Sequence, residues 1–157
     1  MNHDENERLL DWWKTMEEAK PVVRRLMSLM TELRLHPESS HSTGMILLYR
    51  AASEVSYGYA GVRGCIRRAF TNEYGEPLRV NMVRCHSFVH KFSADTKVLL
   101  KHVKANTAGP HAQQIIIKLE EVLMENDRFL IEIEEKAQAF FGKNTFMALN
   151  ENIKQEE

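Results

Sequence analysis

Apolar residues recur at intervals of three and four along four long segments of the chain, and this spacing constrains the fold more than any other feature. The segments cover residues 9–33, 45–69, 78–103 and 112–140. Such spacing gives a helix one apolar side that must be buried against other helices. Pro- or Gly-containing breaks separate the segments. The sequence therefore predicts an all-α fold, an up-down-up-down antiparallel four-helix bundle.

The predicted helices cover about residues 4–35, 43–72, 77–105 and 110–141, each about 30 residues or about 45 Å long. Pro21 lies inside the first helix. The apolar spacing continues in phase from Ala19 to Val23, which favours one helix kinked at Pro21 over two helices joined by a turn. The bundle then occupies residues 1–143. Residues 144–157 form a tail with one short amphipathic helical turn, which includes Phe146 and Ile153.

Local signals mark the helix ends. Asp4 and Glu7 have the spacing of a capping box at the start of the first helix. Ser42 or Thr43 is expected to cap the second helix, and Gly142 is expected to end the fourth.

Composition limits the kind of protein. A chain of 157 residues is of single-domain size and can bury a core without metal or disulfide. Cys65 and Cys85 lie in predicted helices without metal-ligand spacing, and the first seven residues are polar and acidic, unlike a secretory signal. The longest uncharged stretch, 105–117, contains Gly109 and Pro110 and is shorter than the roughly 18 apolar residues of a membrane span. We therefore expect a reduced, cytoplasmic protein without a transmembrane segment.

Charge is unevenly distributed along the chain, although the formal net charge is only −1. Residues 63–104 contain nine Lys or Arg against three acids, whereas residues 118–136 contain seven acids against three bases. These two segments are expected to attract one another.

Three glycines stand at every third position of the second helix: Gly58, Gly61 and Gly64. Each costs about 1 kcal/mol relative to alanine in a helix interior. Close approach of a neighbouring helix is the favoured explanation for Gly58 and its flank, and a cavity or cofactor slot is the alternative. Gly64 projects away from that flank and has no packing explanation. No cofactor is predicted.

A basic stripe is predicted on the third helix, opposite its apolar side. Its members project within about 60° of each other at 100° per residue; they are Arg79, His86, His90, Lys97, Lys101 and Lys104. One interpretation is a solvated face that complements the acids of the fourth helix. The other is a docking surface for an acidic partner, an anionic lipid headgroup or RNA phosphates.

His86 and His90 are four residues apart and both could reach one metal ion. Arg79 and Lys97 place like charge on both sides of the pair, and the stripe contains no carboxylate. No metal site is therefore predicted, and pH-dependent charging of the histidines is the favoured use of the pair.

The spacing of Arg79 and His86, and of Arg84 and His90, resembles that of HEPN ribonucleases. These are all-helical domains in which Arg and His, with four to six residues between them, cleave RNA at a dimer interface. The resemblance implies Arg79 and His86 as the better pair, because they project to one face. Histidine would transfer the proton and arginine would stabilise phosphate charge.

An apolar row is predicted on the outward side of the fourth helix. Its members recur at every seventh residue; they are Ile117, Met124 and Ile131. An exposed apolar row more often marks a surface that binds a partner than a group of apolar residues without a role. The alternatives are that the C-terminal tail covers the row, or that the helix is central in a larger packing. Leu10 and Trp13 form a smaller patch on the first helix.

Asn126 interrupts the apolar side of the fourth helix between Leu123 and Leu130. A buried polar residue at such a position can fix helix register. Its expected partner is Thr96, the polar residue on the apolar side of the third helix.

The sequence thus favours a non-enzymatic module that binds another protein or a second copy of itself through the apolar row and the basic stripe. A bundle that binds anionic lipid is one alternative. A ribonuclease of the HEPN kind is the other.

Overall fold

The computed structural model describes residues 1–39, 42–71 and 73–156. Five helices lie in these residues: α1 (His3–Leu35), α2 (Thr43–Phe70), α3 (Glu76–Ala105), α4 (Pro110–Phe141) and α5 (Lys143–Glu156). The four long helices pack against one another around one apolar core, so the predicted helical bundle is confirmed. Asn72, the predicted end of the second helix, lies outside the described residues, and α2 ends at Phe70.

The helix ends are fixed by local hydrogen bonds. The predicted capping box of Asp4 and Glu7 is wrong, because Asn2 caps α1: its side chain accepts the N–H of Glu5 at 2.8 Å, and the Glu5 carboxylate accepts the N–H of Asn2 at 3.3 Å. Ser42 caps α2 by accepting the N–H of Met45. Gly142 ends α4 with φ of 84°, a left-handed conformation that favours glycine.

α1 continues through Pro21 as one helix of 33 residues. Its apolar side stays in register across the proline, because Ala19 and Val23 are both buried in the same core. The core contacts on both sides of Pro21 offset the loss of one backbone hydrogen bond. The prediction of one helix instead of two is confirmed.

Neighbouring helices run antiparallel, as predicted. Cross-helix pairs join low residue numbers in one helix to high numbers in the next: Lys97 with Asp127 and Lys104 with Glu120 between α3 and α4, and Asp11 with Lys136 and Arg25 with Glu125 between α1 and α4. The short connections leave the chain no room for parallel neighbours.

The C-terminal segment is a longer element than the predicted short turn. It forms α5, a helix of 14 residues that packs against α3 and α4. Phe146 and Ile153 are buried, and the Phe146 ring lies 5.3 Å from the ring of His86 in a T-shaped contact. α5 therefore covers one end of the gap between α3 and α4.

The four helices are not equally close to one another. α2 packs most extensively against α3, α1 packs against α4, and α3 and α4 have the least extensive contact of the neighbouring pairs. A methyl group added to Gly58 would lie 2.7 Å from Cγ2 of Val89, and one added to Gly61 would lie 3.0 Å from Sγ of Cys85. The two glycines therefore permit the close approach of α2 to α3, which the sequence predicted for Gly58 and its flank.

α3 is rotated relative to the predicted apolar side. The three- and four-residue apolar spacing of residues 78–103 assigns Cys85, Phe92 and Leu99 to the core, but these three are only partly buried, whereas His86, Ser93 and Leu100 are buried in their place. Each of these buried residues follows the expected one by a single position, which corresponds to about 100° around the helix. Two polar side chains thus enter the core where the pattern favoured apolar ones.

A hydrogen-bonded network inside the bundle explains part of this rotation. The Tyr59 hydroxyl donates to Oδ1 of Asn126 at 2.6 Å, and Nδ2 of Asn126 donates to Oγ of Ser93 at 3.0 Å. Burial raises the pKa of Tyr59, so its hydroxyl remains a donor at neutral pH. The predicted pairing of Asn126 with Thr96 is wrong, because the Thr96 hydroxyl donates to the backbone carbonyl of Phe92 in its own helix.

We expect Gly58→Ala to lower the free energy of unfolding by about 1–2 kcal/mol, because overpacking against Val89 exceeds the gain in helix propensity. Gly64→Ala is the matched control. A methyl group there meets no heavy atom of the described residues within 4 Å, so this variant should gain up to about 1 kcal/mol. Urea denaturation of both variants checks the pair, and equal effects would contradict the close approach.

We expect Tyr59→Phe to lower the free energy of unfolding by about 1–3 kcal/mol, because the buried carbonyl of Asn126 loses its donor. Tyr57 on the same helix is exposed, so Tyr57→Phe should change stability by less than about 0.5 kcal/mol. Thermal and urea denaturation measure both. An unchanged Tyr59→Phe variant would show that the network contributes nothing to stability.

Candidate functional site

The apolar row of Ile117, Met124 and Ile131 is exposed on α4. The three residues are 49%, 67% and 63% exposed, respectively, while the opposite side of the same helix is buried in the core. At 1.5 Å per residue the row extends over about 21 Å. α5 packs on the His86 side of α3 and α4, and the row remains open to solvent.

Charged residues flank the apolar row on both sides. On the side nearer α3, Glu120 accepts from Lys104 at 3.0 Å and Asp127 accepts from Lys97 at 2.9 Å. On the other side, Glu121 and Arg128 are exposed, and neither forms an ion pair with another residue that the structure describes.

A hollow of about 190 Å³ lies beside Met124, between α3 and α4. Its walls are formed by both helices: Lys97, Leu100, Lys101, Glu120, Leu123 and Met124. The limited contact between α3 and α4 leaves this space open. The apolar row therefore borders a concave site that can receive a side chain from another molecule.

The basic stripe does not form one open surface. Lys97 and Lys104 pair with acids of α4, Arg79 is half-buried beside Tyr74, His86 is buried, and His90 is half-buried. The predicted exposure of His86 is wrong, since the rotation of α3 turns it towards α5. Lys101 is exposed and forms no ion pair within the described parts of the chain. Two members of the stripe, Lys97 and Lys104, thus join α3 to α4.

His86 and His90 form a hydrogen-bonded pair at the edge of α5. Their Nε2 atoms are 3.3 Å apart, and the hollow beside them is lined also by Glu134, Lys91 and Lys154. One imidazole donates a proton from Nε2 and the other accepts it on Nε2, so the accepting ring is neutral. Burial, and to a lesser extent His90, lowers the pKa of His86 to about 3. Burial lowers the pKa of His90 as well, opposed by the charge of Glu134.

His86, the histidine of the favoured Arg79–His86 pair in the ribonuclease resemblance, does not lie on the surface. His86 is 4% exposed and its ring contacts Phe146 and His90. His86 and His90 have no further metal ligands beside them: residues 1–39, 42–71 and 73–156 contain no group of three or more His, Cys, Asp or Glu side chains placed to hold one ion.

Leu10 and Trp13, the predicted smaller patch on α1, differ in exposure. Leu10 is exposed and borders a shallow hollow lined with charged residues. Trp13 is partly buried, and the guanidinium of Arg67 lies 5.8 Å from its ring centroid. Trp13 therefore takes part in the contact of α1 with α2.

An open groove between α2 and α3 was not predicted from the sequence. It has a volume of about 710 Å³, and its apolar lining comes from both helices: Leu47, Ala51, Phe88, Phe92, Val98 and Leu99. Phe92 and Leu99 border it because α3 is rotated, so the apolar pattern alone assigned them to the core. Arg50, Glu54 and Asp95 lie at the same groove.

The two cysteines lie close together, which their sequence separation did not indicate. Nδ2 of Asn81 donates to Sγ of Cys65 at 3.4 Å, and the thiol of Cys85 interacts with that of Cys65. The hydrogen bond between the two thiols lowers the pKa of Cys85, while the same hydrogen bond and burial raise the pKa of Cys65. Both thiols are free.

The chain matches no protein-family model, no curated protein and no solved structure. Among the described residues, no helix is both long and apolar enough to cross a membrane.

We expect the protein to lose stability as the pH falls below about 6.5, because the unfolded chain binds a proton on His86 that the folded chain excludes until about pH 3. The loss from this histidine is about 2 kcal/mol at pH 5. His86→Gln should reduce the difference in unfolding free energy between pH 7 and pH 5 by that amount. Urea denaturation at both pH values measures it.

His3→Gln is the matched control, since His3 is exposed at the start of α1. It should keep the wild-type difference between the two pH values. If His86→Gln also kept the wild-type difference in unfolding free energy between pH 7 and pH 5, that result would contradict the exclusion of the proton from His86 in the folded protein.

Proposed function

We propose that this protein is a non-enzymatic interaction module that binds a protein partner through the apolar row on α4. The observation that carries the proposal is the exposure of three large apolar side chains at seven-residue intervals on a helix whose other side is core. An apolar strip of this kind fits the apolar side of another helix, as in helix-in-groove recognition.

The surroundings of the row favour a protein over lipid or RNA. Lys97 and Lys104, which the sequence offered as lipid or phosphate contacts, are matched by carboxylates on α4. A surface with alternating signs of charge attracts polyanions weakly, because each nearby acid offsets a base. Glu121 and Arg128 instead supply both signs beside the row, which suits a partner that carries both signs.

Docking would bury the row and the hollow beside Met124. The apolar area removed from water would supply most of the binding free energy, and the flanking charges would set orientation and partner choice. The most exposed member, Met124, is flexible and adapts to the shape of a partner.

Met124→Glu should abolish partner binding without unfolding the bundle, because it places a charge in the middle of the row. Val98→Glu is the matched control: Val98 is 68% exposed, as Met124 is 67% exposed, but it lies at the α2–α3 groove. Affinity capture from native extract with wild type and both variants, followed by mass spectrometry, measures binding. Thermal denaturation measures folding.

A protein retained by wild type and Val98→Glu but lost by Met124→Glu supports the proposal. A protein partner that is lost only by the Val98→Glu variant would assign binding to the α2–α3 groove. RNA or lipid retained without protein would support the alternatives that the basic stripe suggested. Unfolding of Met124→Glu would mean that the row belongs to the core, and each of these last three results overturns the proposal.

A further inference from the structure

We infer that the partner bound by the apolar row is a second copy of this chain, paired with the first through antiparallel α4 helices about a two-fold axis near Met124. The inference rests on the proposed function and names its partner. The row is symmetric about its centre, since Ile117 and Ile131 each lie seven residues from Met124. The two-fold axis therefore places Ile117 of each copy against Ile131 of the other, and Met124 against Met124.

The charges beside the row match this symmetry. Glu121 precedes Met124 by three residues and Arg128 follows it by four, and both project to the same side of the row. In an antiparallel pair, that side of one helix faces the same side of the other. Each Glu121 then lies at the level of the other copy's Arg128, which gives two equivalent pairs of opposite charge.

Both residues are available for these pairs. Glu121 and Arg128 are exposed and form no ion pair with any residue that the structure describes. An isolated exposed acid and base on one face gain nothing within the chain, whereas the second copy satisfies both at once.

The opposite side of the row is also suited to a second copy. On that side, Glu120 and Asp127 pair with Lys104 and Lys97 of the same chain, and the exposed Lys101 borders the hollow beside Met124. The axis places Met124 of each copy next to the other copy's hollow of about 190 Å³, which an unbranched methionine side chain can enter.

A second mode of self-association is geometrically distinct. The apolar row of one copy could enter the α2–α3 groove of another, but the two surfaces differ, so such contacts do not close on themselves and produce chains of copies. The symmetric charges at Glu121 and Arg128 favour the closed pair. The two modes predict different masses in solution.

The first experiment is sedimentation equilibrium of the purified protein over a range of concentrations. We expect a monomer–dimer equilibrium for wild type and for Val98→Glu, and a monomer at all concentrations for Met124→Glu. Circular dichroism should report the same helix content for all three. Masses that rise beyond the dimer with concentration, or a dimer lost in Val98→Glu, would overturn the inference in favour of the groove.

Charge reversal then tests the antiparallel register. Glu121→Arg places two like-charged pairs in the dimer and should raise the dissociation constant roughly tenfold. Arg128→Glu should raise it by a similar factor. The double variant, Glu121→Arg with Arg128→Glu, reverses both members of each pair and should restore wild-type dissociation. A double variant no tighter than the single variants would exclude this register.

The outcomes separate the two proposals. A purified protein that stays monomeric, while capture from extract still depends on Met124, would overturn the second-copy inference and leave the interaction module intact. A monomer that also captures no protein would overturn both. A dimer that depends on Met124 and follows the charge-reversal pattern supports both.

Discussion

The close approach of α2 to α3 is the constraint on which the rest of the structure depends. Gly58 and Gly61 bring the two backbones together, with Val89 and Cys85 filling the space that a methyl group would take. α3 is thereby held by α2 and contacts α4 less extensively. This asymmetry leaves a gap between α3 and α4, which α5 covers at one end and which remains open beside Met124 at the other.

Polar groups then determine how α3 is turned. Ser93 is buried because Asn126 donates to it, and Asn126 is in turn held by Tyr59. His86 is buried because His90 and Phe146 surround it. Buried polar groups of this kind are tolerated only when they have partners. Their arrangement selects one rotation of α3, and that rotation moves Phe92 and Leu99 to the edge of the α2–α3 groove.

Electrostatics joins the two helices that pack least closely. The basic segment of α3 and the acidic segment of α4 meet in the pairs Lys97–Asp127 and Lys104–Glu120. These exposed pairs contribute modest stability, and they engage Lys97 and Lys104 of the stripe that the sequence offered as a partner surface. The charges that remain beside the apolar row, Glu121 and Arg128, are few and of opposite sign, which explains why the row and not the stripe carries the proposed interaction.

The sequence by itself determined the four long helices, their antiparallel order and the position of the apolar row on the outward side of the fourth helix, because these follow from periodicity, breaks and short connections along the chain. It also indicated the glycine contact of α2. Only the tertiary structure decided the rotation of α3, the partners of Asn126, the burial of His86 and the position of α5. A shift of one residue moves an apolar stripe by 100°, and a pattern of mixed polar and apolar residues fits both rotations. The choice depends on partners such as Tyr59 and Phe146, which are distant in the sequence and meet only in the folded chain.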